Sequence, residues 1–204
     1  QMMKETEEIV NANLDFLPLK SYANIVEGNA LRMDWESVVP KEKLDYIMGN
    51  PPFVGYSLQS KEQKADILSV YVDEKGKPYK TAGKIDYVAG WYFKAAELIS
   101  NQKIKCAFVS TNSITQGEQV AGIWKPLMDR FRIHIDFAHR TFRWDSEASV
   151  KAHVHCVIVG FSTAYNPREK QLYSSERMQL VKNINAYLIE APDVFVESRT
   201  KPIS

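Results

Sequence analysis

The stretch 49-GNPPFVGY-56 follows the apolar run 44-LDYIM-48 with an amide, Asn50, two prolines, Pro51 and Pro52, and a ring, Phe53. Proline cannot join a ladder and stops a central strand, so these groups are presented at the strand's carboxyl end. That rim is where open α/β sheets hold ligands. The stretch has the makings of a site.

Other constellations are weaker. His153 and His155 alternate along one strand and share a face, with His134 and His139 nearby in sequence. Zinc would need a third ligand and an open position, so no metal is expected. Ser110 and Ser113 lack the Gly-x-Ser-x-Gly elbow of acyl-transfer enzymes. Trp91 and Tyr92 read as core residues of a helix. Asn112 sits at a strand end facing the proposed cleft, as a pocket residue or a turn cap.

These groups need elements to hold them. The text 1-QMMKETEEIVNANL-14 predicts a helix. Strands are predicted at 24–28, 44–48, 104–110, 133–138 and 153–161, and a turn at 29–35. A long helix should start at Asp86, capped by its carboxylate. Another should cover 119–131, with Pro126 kinking or breaking it. The Lys- and Gly-rich 71–84 reads as a loop and a candidate for disorder, and 139–152 as a loop between the last two strands. Alternating strands and helices imply an α/β sheet with right-handed crossovers, and the spacing of the last two strands allows an antiparallel pair at one edge.

The whole chain sets limits. Its 204 residues suit one domain with an appendage. A net charge of +1 advertises no global affinity for nucleic acid, so any such contact must be a local patch. Cys106 and Cys156 lie in apolar runs, as buried reduced thiols do. Without signal-peptide or membrane-span character, a cytoplasmic protein fits. Both ends read as cut from a longer chain.

Asn-Pro-Pro-Phe after a buried strand resembles the signature of adenosylmethionine-dependent DNA adenine-N6 methyltransferases. The resemblance extends through 25-IVEGNALRMDW-35, 86-DYVAGWYFKAAE-97, 107-AFVSTNSITQGEQV-120, 136-DFAHRTFRW-144 and 152-AHVHCVIVGF-161 to the methyltransferase domain of Mme-type (type IIL/IIG) restriction–modification enzymes. It implies a partial class I, Rossmann-like sheet with an antiparallel edge strand, lacking the first strands. Residues 1–165 would be the later part of the catalytic domain, and 166–204 a connector toward a downstream DNA-recognition domain. The partner would be double-stranded DNA with a flipped adenine, with no membrane involved.

By that resemblance, the Asn50 side-chain oxygen and Pro51 carbonyl would each accept one N–H of the adenine amine, turning its lone pair toward the methyl group. Pro51 and Pro52 would lock the backbone, and Phe53 would stack on the extruded base. Asn29 would accept from the amine of the S-adenosylmethionine adenine, the Ala30 N–H would donate to the neighbouring ring nitrogen, and Asn50 would border the cofactor. Phe142 or Trp144 would pack on the base, while Arg140, Arg143 and Lys151 would meet phosphates. The Gly-rich cofactor turn and the acidic ribose-binding residue are absent from the sequence, so the cofactor site is incomplete and the separate fragment should be inactive. An unpaired inner edge at Leu44–Met48 should favour disorder, rearrangement or self-association. Alternatives of the same fold are a non-catalytic DNA-binding or scaffold module, or a methyltransferase for RNA or protein glutamine.

Overall fold

The computed structural model describes residues 24–144, 154–164, 166–175 and 177–196. The helix expected at the amino end, together with Lys151 and His153, lies outside them. The described residues form a six-stranded open mixed sheet in the order β1-β2-β4-β3-β5-β6. Its strands are β1 (Tyr46–Gly49), β2 (Lys105–Thr111), β3 (His134–Trp144), β4 (Val154–Ser162), β5 (Lys170–Tyr173) and β6 (Met178–Val181). Three helices connect them: α1 (Lys61–Val70), α2 (Ala89–Leu98) and α3 (Gly117–Phe131).

β1 and β2 run parallel, β4 is antiparallel to both β2 and β3, and β6 closes the sheet as an antiparallel edge strand. The expected antiparallel pair is therefore present, but it sits inside the sheet, since β5 and β6 extend it beyond β3. Those two strands come from 166–204, which was expected to be a connector. Leu172, Val181, Ile184 and Leu188 from the same stretch are buried in the common core.

Cys106, Phe108 and Ser110 of β2 share a face with Val157, Val159 and Phe161 of β4. Helices α2 and α3 cover that face. Tyr92 of α2 packs against Phe108, Trp124 and Phe161 at ring separations of 5.2, 5.3 and 5.4 Å. Its hydroxyl meets Ser110 Oγ at 2.9 Å, so this buried polar pair satisfies itself. On α3, Val120, Ile123, Trp124, Leu127 and Phe131 follow helical spacing onto the core. Both cysteines are buried and free. No described helix is long and apolar enough to cross a membrane.

Several expectations are corrected. Residues 24–28 form no strand: no described strand lies beside them to satisfy a ladder, and Ile25 is 90% exposed. The polar stretch 59–70 contains α1, started by a capping box in which Ser60 Oγ accepts from Gln63 N and Gln63 Oε1 from Ser60 N. β3 continues through Trp144 instead of ending before a loop at 139, with irregular register between Ile135 and Phe137 and between His139 and Phe142.

Helix α3 runs through Pro126 unbroken, and the reason also orders the segment 71–84. Proline at 126 cannot donate to the carbonyl of Gly122, four residues earlier. The buried Tyr71 hydroxyl lies 3.0 Å from Gly122 O and 2.6 Å from Ile123 O, and Thr81 Oγ1 donates to Gly122 O at 3.3 Å. The segment expected to be disordered thus supplies the donors that the proline removes. It is pinned further by a Val72–Pro78 bridge and by Arg130 donating to Val72 O.

At the far end of the sheet, Asp136 lies in the first irregularity of β3. It accepts from Ser162 Oγ at 2.6 Å and Asn166 Nδ2 at 2.9 Å, with Lys170 Nζ and His134 Nε2 each 3.4 Å away. Burial opposes its ionisation, but the hydrogen bonds from His134, Ser162 and Asn166 outweigh it and hold the carboxyl well below its usual range. A depressed folded-state pKa adds stability that is present above the unfolded value, about pH 4, and is lost as pH falls toward the folded one.

Two outcomes are expected. Tyr71→Phe leaves Gly122 O with only the longer Thr81 bond and lowers unfolding free energy by about 1–3 kcal/mol, measured by urea titration. Asp136→Asn lowers stability at neutral pH by about 2 kcal/mol and flattens the loss of thermal stability between about pH 5 and pH 3, measured by melting at each pH.

Candidate active site

The turn after β1 places Asn50 in the open, Pro51 buried and Phe53 half-buried. Among the described residues, no hydrogen bond engages the Asn50 side chain. What holds this turn lies elsewhere in sequence. Tyr87 N donates to Val54 O at 2.9 Å, and Gln59 Nε2 donates to Ile85 O at 2.9 Å. Tyr56 N donates to Asp86 Oδ1 at 2.9 Å.

Asp86 was expected to cap α2, but the helix begins at Ala89 without a side-chain cap. Asp86 is 6% exposed, and its carboxylate is turned toward the turns after β1 and β2. Oδ2 accepts from Ser113 Oγ at 2.5 Å, and Ser113 Oγ lies 2.7 Å from Thr111 Oγ1. A carboxylate only accepts, so the Ser113 proton goes to Asp86 and the Thr111 proton to Ser113. This relay ties the end of β2 to the turn after β1. Asn112, expected here, opens the short 3-10 turn Asn112–Thr115, where its carbonyl accepts from Thr115 Oγ1.

A second cluster carries Asn29 and Ala30. Asn29 Oδ1 accepts from Leu31 N at 2.9 Å, while Asn29 Nδ2 donates to Asp66 Oδ2 at 2.9 Å. Asp66, 4% exposed on α1, also accepts from Arg32 Nε at 2.6 Å and from the Tyr87 hydroxyl at 2.9 Å. Burial works against its charge, yet the bonds from Arg32, Asn29 and Tyr87 hold its pKa below the ordinary value. Burial, then the Asp66 bond, push Tyr87 up to about 12.

The carbonyls of this turn are also taken. Trp35 Nε1 donates to Ala30 O at 2.8 Å, and Lys94 Nζ donates to Leu31 O at 3.1 Å and to Met33 O. Close packing requires Gly90 on α2, where an added Cβ would stand 2.9 Å from Leu31 Cδ1 and 3.1 Å from Ile67 Cδ1. The Ala30 N–H has no partner among the described residues, and Asn29 Oδ1 keeps a second lone pair.

On the remaining side, the register puts Thr111 of β2, Cys156 of β4 and Phe142 of β3 in one row. At about 4.8 Å per strand, Phe142 stands roughly 10 Å across from Thr111. It is half-buried and meets His139 edge-on at 4.9 Å, and His139 stacks over Tyr173. Arg140 and Arg143 are exposed, and Trp144 pairs with Val154 in the backbone register. The parallel arrangement of β1, β2 and β3 brings the ends carrying Asn50, Asn112 and Phe142 to one rim. Asn29 and Ala30 connect to that rim through Asp66 and Tyr87 of the element that also holds Val54.

The expected groups at this rim offer an amide, proline carbonyls and rings. Asn29 Oδ1, with its second lone pair, and the Ala30 N–H offer an acceptor and a donor on adjacent residues. Ala30 helps to line an open groove of about 520 Å³ together with Gly28, Met33 and Met48. Among the described residues, β1 beside that groove pairs only with β2, and it exposes Tyr46 and Met48. This is the unpaired edge expected at Leu44–Met48. No described cluster of His, Cys, Asp and Glu could hold a metal. Sequence reasoning missed Asp66, Ser113 as a carboxylate partner, and Tyr87; the only signal for Asp66 was that it stands beside Ile67 in a largely polar stretch.

Comparison with known proteins bears on this geometry. Residues 1–174 match the family described as MmeI, DNA-methyltransferase domain. The chain is 41% identical over 207 residues to DNA methyltransferase A of Bacillus subtilis (strain 168), covering 100% of this chain and 23% of the relative. A solved structure of the type IIL restriction–modification enzyme MmeI in complex with DNA superposes with a TM-score of 0.85 at 45% identity, covering 100% of this chain and 27% of that one. The chain thus spans about a quarter of the length of these relatives. It belongs to the MmeI DNA-methyltransferase domain family.

Proposed function

We propose that this chain supplies the catalytic turn and base pocket of a DNA adenine-N6 methyltransferase, acting within a longer restriction–modification protein. The observation that carries the reading is Asn50: an exposed amide without a described partner, on a turn fixed by Asp86, in a chain of the MmeI methyltransferase family. The residues used would be Asn50, Pro51, Pro52 and Phe53 for the target base, with Phe142 or Trp144 stacking. Arg140 and Arg143 would meet backbone phosphates, and Asn112 would border the pocket.

S-adenosylmethionine would supply an electrophilic methyl group on a sulfonium. Asn29 and Ala30 would hold its adenine. An exocyclic amine is a poor nucleophile because its lone pair is delocalised into the ring. With one N–H on the Asn50 oxygen and the other on the Pro51 carbonyl, the nitrogen would pyramidalise and its lone pair would face the methyl. Such catalysis works by orientation and fixed dipoles. A base within a duplex cannot reach this rim, so the adenine would be flipped out.

The remainder of the cofactor pocket and the DNA-recognition domain would come from the rest of the parent protein, with the chain beyond the buried Leu188 leading toward the latter. The isolated 204 residues would then be inactive and would self-associate along the open edge of β1. A cytoplasmic location goes with this reading.

Asn50→Ala in the full-length protein should lower methylation of DNA by about 100- to 1,000-fold with DNA binding retained, followed by transfer of labelled methyl groups. Unchanged methylation overturns the assignment, and label appearing in RNA or protein instead of DNA replaces the substrate. Asp86→Ala should lower kcat by about 100-fold with KM for the donor little changed, because the turn loses its tether while the Asn29 cluster stays intact. An effect confined to KM would contradict the positioning role.

A further inference from the structure

We propose that Asp66 is a positioning residue that fixes the side-chain amide of Asn29 with its oxygen toward the ligand, and so selects a nucleoside bearing an amine. The inference rests on the donor site proposed above and concerns a residue outside its motifs. An asparagine amide presents an oxygen or, flipped, an NH2, and the two faces select opposite partners. Leu31 N–H can only donate, and it lies 2.9 Å from Asn29 Oδ1. The Asp66 carboxylate can only accept, and it lies 2.9 Å from Asn29 Nδ2. A flip would set oxygen against oxygen and N–H against N–H at once.

Asp66 is itself held from two further sides. Arg32 Nε occupies its Oδ1, and the Tyr87 hydroxyl shares its Oδ2 with Asn29. The carboxylate is buried on α1, so it cannot swing away to follow a rotating amide. The amide oxygen keeps one lone pair free beside the unpartnered Ala30 N–H. That pair of an acceptor and a donor matches the amine and adjacent ring nitrogen of adenine. It mismatches hypoxanthine, which carries a carbonyl and an N–H in the same places.

The test is calorimetric binding of S-adenosylhomocysteine and its inosine counterpart to the full-length protein. The wild type should prefer the adenosyl compound. Asp66→Ala removes one of the two contacts that oppose a flip, leaving the Leu31 N–H, and should narrow that preference about tenfold. The exchange Asn29→Asp with Asp66→Asn restores acceptors toward the ligand and a donor between the two side chains, so it should recover the preference. Equal weakening of both compounds in Asp66→Ala, or an exchange variant that binds without preference, overturns the proposal and leaves the donor site standing. A wild type that binds neither compound overturns both. Should Asp66→Ala fail to fold, Asp66→Asn decides: its side chain can present a donor as well as an acceptor to Asn29, so a narrowed preference supports the assignment and an unchanged one rejects it.

Discussion

The structure around the rim depends on one buried carboxylate. Asp86 receives the Tyr56 N–H from the turn after β1 and the Ser113 hydroxyl from the turn after β2. A buried carboxylate is tolerated only when donors meet it, and each donor is then costly to remove. Two strand ends that share little chain connectivity are thereby locked in a fixed relation. The prolines set local backbone angles, but they do not set where the turn sits relative to β2. Asp86 does that, with the Val54–Tyr87 and Gln59–Ile85 bonds around it.

The same division of labour recurs at Asn29. The residues that would face a ligand stand at the surface, while Asp66 behind them is buried and receives three donors. Tyr87 adjoins Asp86 in sequence and bonds to Asp66 in space, so one short segment joins the two clusters. Groups that act by orientation need such support, because an amide that rotates by half a turn reverses its chemistry.

What could be read from the sequence follows from how local each signal is. The strand before Asn50 and the Pro-Pro stop were legible because an apolar run and two prolines act within a few residues. The buried strand at 105–111 was legible for the same reason. Ser60 and Gln63 spelled a capping box, yet the weakly amphipathic text behind them concealed α1. Asp86 stood where a helix cap stands, and only the distant Tyr56 and Ser113 drew it inward. The order in 71–84 depends on a donor that Pro126 makes necessary some fifty residues away, which no local pattern announces. Strands β5 and β6 were obscured because they are four residues each, β5 pairing with the distant β3 and β6 only with β5.

The central claim is that the Asn50 amide and the Pro51 carbonyl together grip an exocyclic amine. The most direct test is a crystal structure of the full-length protein with S-adenosylhomocysteine and DNA containing its methylation site. The account predicts an extruded adenine whose N6 lies within about 3 Å of both Asn50 Oδ1 and Pro51 O. A flipped base held with its amine away from both atoms, or a target adenine left stacked in the duplex, would contradict it.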